Sequence, residues 1–164
     1  MNRPTTTIVS HAPSPYICPF CQVARGTADT RVESQPEDVF YRTAQGVGLV
    51  ASRWWPRNLG HALIVPVQHV ENIYDLPPDL TAHLYRLAQD VAIAMKDVYG
   101  CEGITIRQHN EPPGGQSVWH YHIRVVPRYR GDLFKFLRAR RVPIERRRPF
   151  VTALQRYFDG HDRD

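Results

Sequence analysis

The chain predicts an α+β domain in which one long amphipathic helix separates two groups of short strands, in an order that suits an antiparallel sheet. Three observations carry this. Leu80, Leu84, Leu87, Val91, Ala94, Met95 and Val98 recur at helical spacing between Pro77-Pro78-Asp79 and Gly100. Val39-Phe40-Tyr41 and Val47 to Val50 flank the turn Thr43-Ala44-Gln45-Gly46, a hairpin pattern. Residues 103–108 and 118–126 alternate with the period of two that a strand requires. No internal repeat or second core is visible, and 164 residues suit one domain.

Taken in order, residues 1–15 hold Pro4, Pro13 and Pro15 among small polar residues, a composition that buries too little apolar surface to offset ordering, so a loose leader is expected. The hairpin follows, and then His61-Ala62-Leu63-Ile64-Val65 reads as a buried strand stopped by Pro66. The helix starts where proline is tolerated, in its first turn, and stops at Gly100. Gly103 to Gln108 puts Ile104 and Ile106 on one face. In the strand expected over 118–126, His120, His122, Arg124 and Val126 share one face, and Trp119, Tyr121, Ile123 and Val125 the other, core face. Pro149 to Phe158 reads as a short helix with Val151, Leu154, Tyr157 and Phe158 on one side.

With 42% hydrophobic and 23% charged residues the composition is globular, and no apolar run approaches the ~20 residues of a bilayer span. The first ten residues lack the apolar region of a secretory signal, so a cytoplasmic location and reduced thiols are expected. The charge is uneven. Residues 124–148 carry ten Lys or Arg against Asp132 and Glu145, so this stretch is +8 while the whole chain is +5. Such a run attracts phosphates or nucleic acid, although solvated basic surface is the simpler account and a nucleic-acid partner is not favoured.

Two imidazoles and a guanidinium on one strand face, at ~3.3 Å per residue, make a row able to line a phosphate-sized site. The preceding Asn110-Glu111-Pro112-Pro113-Gly114-Gly115-Gln116-Ser117 is a polar, glycine-containing loop that brings donors to the entrance of that strand. A neutral histidine beside such donors is able to attack phosphorus, with water later displacing the imidazole. Cys18-Pro19-Phe20-Cys21 has a spacing met in metal sites and in redox centres, and Pro13, Pro15 and Gly26 around it disfavour the strand and helix of a redox fold. Trp54 and Trp55 suit either a base-stacking cleft or packing. Cys101 reads as a small buried hydrophobe, and His83 as a satisfied helix histidine.

The run Gly114-Gly115-Gln116-Ser117-Val118-Trp119-His120-Tyr121-His122-Ile123-Arg124-Val125-Val126-Pro127 resembles the signature of the histidine-triad (HIT) nucleotide hydrolases and transferases, with Arg124 where the third histidine stands. Gly60 to Val70 and Cys18-Pro19-Phe20-Cys21 resemble two further motifs of that family, the second from its zinc-containing members. The resemblance implies a HIT-like antiparallel sheet over residues 16–135, followed by a basic C-terminal extension over 136–164. It implies that His122 is the nucleophile that carries a nucleotidyl group, that His120 orients it or binds structural zinc, and that Gln116, Ser117 and Arg124 hold phosphoryl oxygens or the leaving group. Asn110 and His61 match polar positions near the substrate, and Arg53 stands where relatives carry an Asp or Asn for the ribose. Zinc would be held by Cys18, Cys21, His69 and His120, with no organic cofactor, and the protein would be a homodimer.

Arg124 cannot exchange a proton near neutral pH, so a proton relay through the third position is in question while the nucleophile is retained. The expectation is therefore an enzyme acting at the α-phosphate of an adenosine-type nucleotide. The alternative is a catalytically impaired module that senses a nucleotide or binds RNA or an acidic partner.

Overall fold

Pro19 sits in the first turn of α1 (Pro19–Arg25), whose N-cap is Cys18 and whose end is set by Gly26 in the left-handed region. The computed structural model of the protein describes residues 9–161. Of the leader expected over 1–15, residues 1–8 lie outside the described residues; 9–15 have no regular structure, and Ser10 Oγ and the His11 N–H donate to the Glu71 carboxylate at 2.5 and 2.7 Å.

The hairpin forms as expected, β1 (Val39–Arg42) against β2 (Gly46–Val50). A two-residue β3 (Arg53–Trp54) precedes β4 (Ala62–Pro66). The long helix α2 spans Pro78–Tyr99 and buries Leu80, Leu84, Leu87, Ala88, Val91, Ala94 and Met95. Val98, expected on that stripe, is 36% exposed in the last turn of the helix. Next come β5 (Gly103–Gln108), β6 (Ile123–Arg128), the short β7 (Arg140–Arg141) and α3 (Ile144–Asp159). Among the described residues no helix is long and apolar enough to cross a membrane.

All pairings in the main sheet are antiparallel, in the order β1-β2-β4-β6-β5. α2 packs on β2, β4 and β6, α3 packs on β1 and β2, and the helices touch each other, so both cover one face. β3 and β7 pair separately, setting Arg53 opposite Arg141. The β4–β6 register puts Leu63 opposite Arg124 and Ile64 opposite Ile123. Because side chains alternate, Ile64 and Ile123 join the core while Leu63 and Arg124 share the other face.

Two expectations change. The strand expected over 118–126 pairs only from Ile123, because the N–H groups before it go elsewhere: Trp119 to the Tyr16 hydroxyl, His120 to the Val118 carbonyl, Tyr121 to the Val70 carbonyl. His120 and His122 are both buried. The C-terminal helix starts at Ile144, five residues before the expected Pro149, which lies inside it. Its buried side includes Arg147, ion-paired with the fully buried Asp38, along with Val151, Leu154 and Phe158.

Candidate functional site

A cavity of about 690 Å³ opens on the face of the sheet opposite α2 and α3, where Leu63 of β4 and Arg124 of β6 meet Ser117, Val118 and the wall formed by α1 and residues 29–34. Arg53, from the start of β3, also lines it. Ser117 is exposed there. The guanidinium of Arg124 has neither a hydrogen bond nor an ion pair among the described residues, and burial together with the like charge of Arg107 disfavours its charged form. Arg107 stands directly opposite it on β5. Like charges across a ladder repel, so an anion in the cavity would relieve the pair. Arg107 is partly held away by stacking over Phe134, 4.3 Å from the ring centroid.

His122 lies behind this wall. Its ring is 1% exposed, and the ring of Phe20, which does line the cavity, is 5.2 Å away edge-on. Nδ1 is 2.9 Å from the His120 carbonyl oxygen. A carbonyl only accepts, so Nδ1 carries the hydrogen and Nε2 the lone pair. That Nε2 is buried and without a partner. Burial, reinforced by the Arg124 charge, pushes the His122 pKa down to about 3, which keeps the ring neutral and the lone pair free. His61 is fully buried between Trp55 and this region, both ring nitrogens are unpartnered, and burial holds its pKa well below the usual histidine range.

His120 faces the other way. Its Nε2 is 3.0 Å from the Pro66 carbonyl, so Nε2 carries the hydrogen and Nδ1 is a lone-pair donor. Nδ1 is 3.2 Å from Cys18 Sγ, 3.5 Å from Cys21 Sγ and 3.2 Å from His69 Nδ1. These four ligand atoms all lie within 4.8 Å of one another. Burial and the Cys18 thiol push Cys21 up to about 12, a penalty that a divalent cation among the thiols would reverse. Two thiolates and two imidazoles with no open position form the donor set of a closed tetrahedral zinc site, and the residues fit that metal.

The remaining expected site residues are placed otherwise. Gln116 is buried: its Oε1 accepts from the Glu111 N–H at 2.7 Å, and its Nε2 donates to the Glu71 and Val118 carbonyls at 2.6 and 3.1 Å. Asn110 accepts from the Ile73 N–H at 2.8 Å and donates to Gln108 Oε1 at 2.7 Å. The structure thus brings Ser117, Arg124 and Arg53 to one cavity and leaves Gln116 and Asn110 tying the loop to residues 71–73 and to the end of β5. Arg53 is already engaged, Nε and Nη2 donating to the Glu33 carboxylate at 2.8 and 2.7 Å. Trp54 is core, its Nε1 donating to the Ala51 carbonyl. Sequence reasoning missed Phe20, Asp29, Arg31 and Glu33. Phe20 alone carried a signal, standing between the two cysteines on a helix that the metal-type cluster would anchor.

The family model of the HIT domain matches residues 32–131. The chain belongs to the HIT family. It is 36% identical over 76 residues to Protein hit of Bacillus subtilis, covering 46% of this chain and 52% of that protein. It is 33% identical over 100 residues to the bifunctional bis(5'-adenosyl)-triphosphatase/adenylylsulfatase of Arabidopsis thaliana, covering 61% of this chain and 54% of that one. The chain therefore spans about half the length of these two relatives. A Zn-bound histidine triad family protein from Mycobacterium smegmatis superposes with a TM-score of 0.72 at 27% identity, over 87% of this chain and 94% of that one. Within this HIT domain the variant triad runs His120, His122, Arg124, and only the first faces the cysteine cluster.

Proposed function

We propose that the protein is a nucleotide hydrolase or nucleotidyltransferase that acts at the α-phosphorus of an adenosine-type nucleotide through a covalent nucleotidyl-His122. The observation that carries this is the buried, unpartnered Nε2 of His122, whose tautomer is set by the His120 carbonyl, next to a cavity bearing the unpaired Arg124. The Nε2 lone pair attacks phosphorus while Ser117 and Arg124 bind phosphoryl oxygens and the leaving group departs. The Phe20 ring packs edge-on against His122 and lines the cavity, so it is the side chain whose displacement would open a path between them. The names of the adenosyl-triphosphatase relative and the family membership support the substrate class. Arg53 would reach the nucleotide only by sharing Glu33, and Gln116, Asn110 and His61 act by shaping the loop and the strand beneath it.

Zinc in this reading is structural, held by Cys18, Cys21, His69 and His120; when bound it supplies a fixed cross-link between α1 and the segment that carries His122 into β6. The protein acts as a homodimer, a reading supported by the β5 edge of the sheet, where Ile106 and the α2 residue Tyr85 are exposed beside a shallow apolar groove. Steady-state release of AMP from diadenosine triphosphate by the wild type and His122→Gln tests the reading. AMP release by the wild type with loss of at least ~10³-fold in the variant is expected. Equal rates, or none from the folded wild type, contradict it.

A further inference from the structure

The cavity beside His122 holds charge but no usable acid. Its ionisable side chains are Asp29, Arg31, Glu33, Arg53 and Arg124. Asp29 is paired with Arg31 at 2.5 Å, and Glu33 receives both donors of Arg53. Those arginines hold both carboxyls below the usual carboxylate range, so neither carries a proton to give near neutral pH. Ser117 offers a hydroxyl, which donates hydrogen bonds but not protons at that pH. Arg124 stays protonated throughout. The neighbouring imidazoles are placed otherwise: His120 commits Nε2–H to the Pro66 carbonyl and Nδ1 to the cysteine cluster, His61 is buried off the cavity wall, and His109, whose charge reaches His122, holds Nδ1 at 2.7 Å from the Gly114 carbonyl and does not line the cavity.

Resting on the reading that His122 attacks phosphorus, we infer that Arg124 selects the leaving group: the site cleaves nucleotides whose departing group leaves as a stable oxyanion, a phosphate or polyphosphate, and discriminates against those whose departing group is an amine. In the first step the Nε2 lone pair forms the N–P bond, and the bond from phosphorus to the bridging oxygen breaks with its electron pair staying on that oxygen. A nucleoside diphosphate or similar group then departs needing no proton, its new charge facing Arg124, whose repulsion from Arg107 it lowers. In the second step a water oxygen bonds to phosphorus, the N–P pair returns to Nε2, and the water proton passes to solvent, giving the nucleoside monophosphate. An amine must instead take up a proton as its P–N bond breaks, and the cavity has no group to deliver one.

The test compares turnover of diadenosine triphosphate with that of adenosine 5'-phosphoramidate by wild type, Arg124→His and Arg124→Gln, with the rate of adduct formation on His122 followed by intact mass. The wild type is expected to favour the anhydride by at least ~10²-fold, the typical worth of one general acid. Arg124→His, which restores a titratable group, is expected to narrow that ratio at least tenfold; Arg124→Gln is expected to slow the anhydride without raising the phosphoramidate rate. A merely structural role for Arg124 would slow both substrates alike. Wild-type adduct formation from both at comparable rates overturns the inference and leaves the His122 reading standing. No adduct from either substrate overturns the His122 reading and the inference with it.

Discussion

His122 donates its Nδ1 hydrogen to the backbone carbonyl of His120, 2.9 Å away, while the His120 ring points into the Cys18, Cys21 and His69 cluster. One residue thus orients the His122 ring with its main chain and closes a metal-type site with its side chain. Whatever fixes the cluster also fixes the plane in which His122 Nε2 lies.

The cluster is therefore expected to bind about one zinc per chain, as read by elemental analysis of the purified protein. Cys21→Ser should lose the metal and lower Tm by more than ~5 °C, and it should slow nucleotide turnover even though Cys21 lies outside the chemistry. Zinc retained at full stoichiometry in Cys18→Ser/Cys21→Ser would contradict this assignment.

Arg147 and Asp38 form a buried ion pair, 4% and 0% exposed side chains that join α3 to the segment before β1. Arg147 also donates to the Glu33 carbonyl. Removing one partner leaves a charge buried without compensation, so Arg147→Ala should cost about 3–5 kcal/mol in urea unfolding. A loss below ~1 kcal/mol would mean that α3 is held by its apolar face alone.

Asp132 closes the loop after β6, accepting from Arg128 Nε and Nη2 at 2.6 and 2.8 Å and from Asn58 Nδ2 at 2.7 Å. Arg128 first, and then Asn58 and the loop N–H groups, hold its carboxyl well below the ordinary value of 3.8. The unfolded chain takes up this proton at a higher pH than the folded one, so the stabilisation is present above about pH 4 and is lost as pH falls below it. Asp132→Asn should lower stability at pH 7 by roughly 2 kcal/mol and flatten the acid limb of a Tm-against-pH curve. An unchanged acid limb would place the acid sensitivity elsewhere.

Gly60, at the entry to β4, has φ +71, and a Cβ there would collide with the Phe150 ring of α3. Gly60→Ala should lower Tm by at least ~5 °C, from the left-handed backbone and the displaced ring together. If Phe150→Ala in the same chain restored none of the loss, the collision would play no part.

Much of this fold was legible because its signals are local. The spacing from Leu80 to Met95, closed by proline and glycine, placed α2 to within a residue, and the glycine turn placed the β1–β2 hairpin. What misled was alternation without a ladder: His120-Tyr121-His122 alternates like a strand, yet its N–H groups bond to Val118 and Val70 before pairing begins at Ile123. In α3, Pro149 looked like a start because proline suits a first turn, and Arg147 hid the helical stripe because its partner Asp38 is 109 residues away. The same non-locality separates the two halves of the site. The motif put His122 and Arg124 on one face, but that Arg107 stands opposite Arg124, and that the Phe20 ring packs edge-on against His122, follows from strand order and helix docking.

Covalent capture of an adenylyl group tests directly whether His122 attacks phosphorus. Brief incubation with diadenosine triphosphate, acid quench and intact-mass measurement should show a transient gain of one adenylyl group, mapped to residue 122 by peptide fragmentation and absent from His122→Ala. An adduct that maps to another residue, or that persists unchanged in His122→Ala, would contradict the assignment of His122.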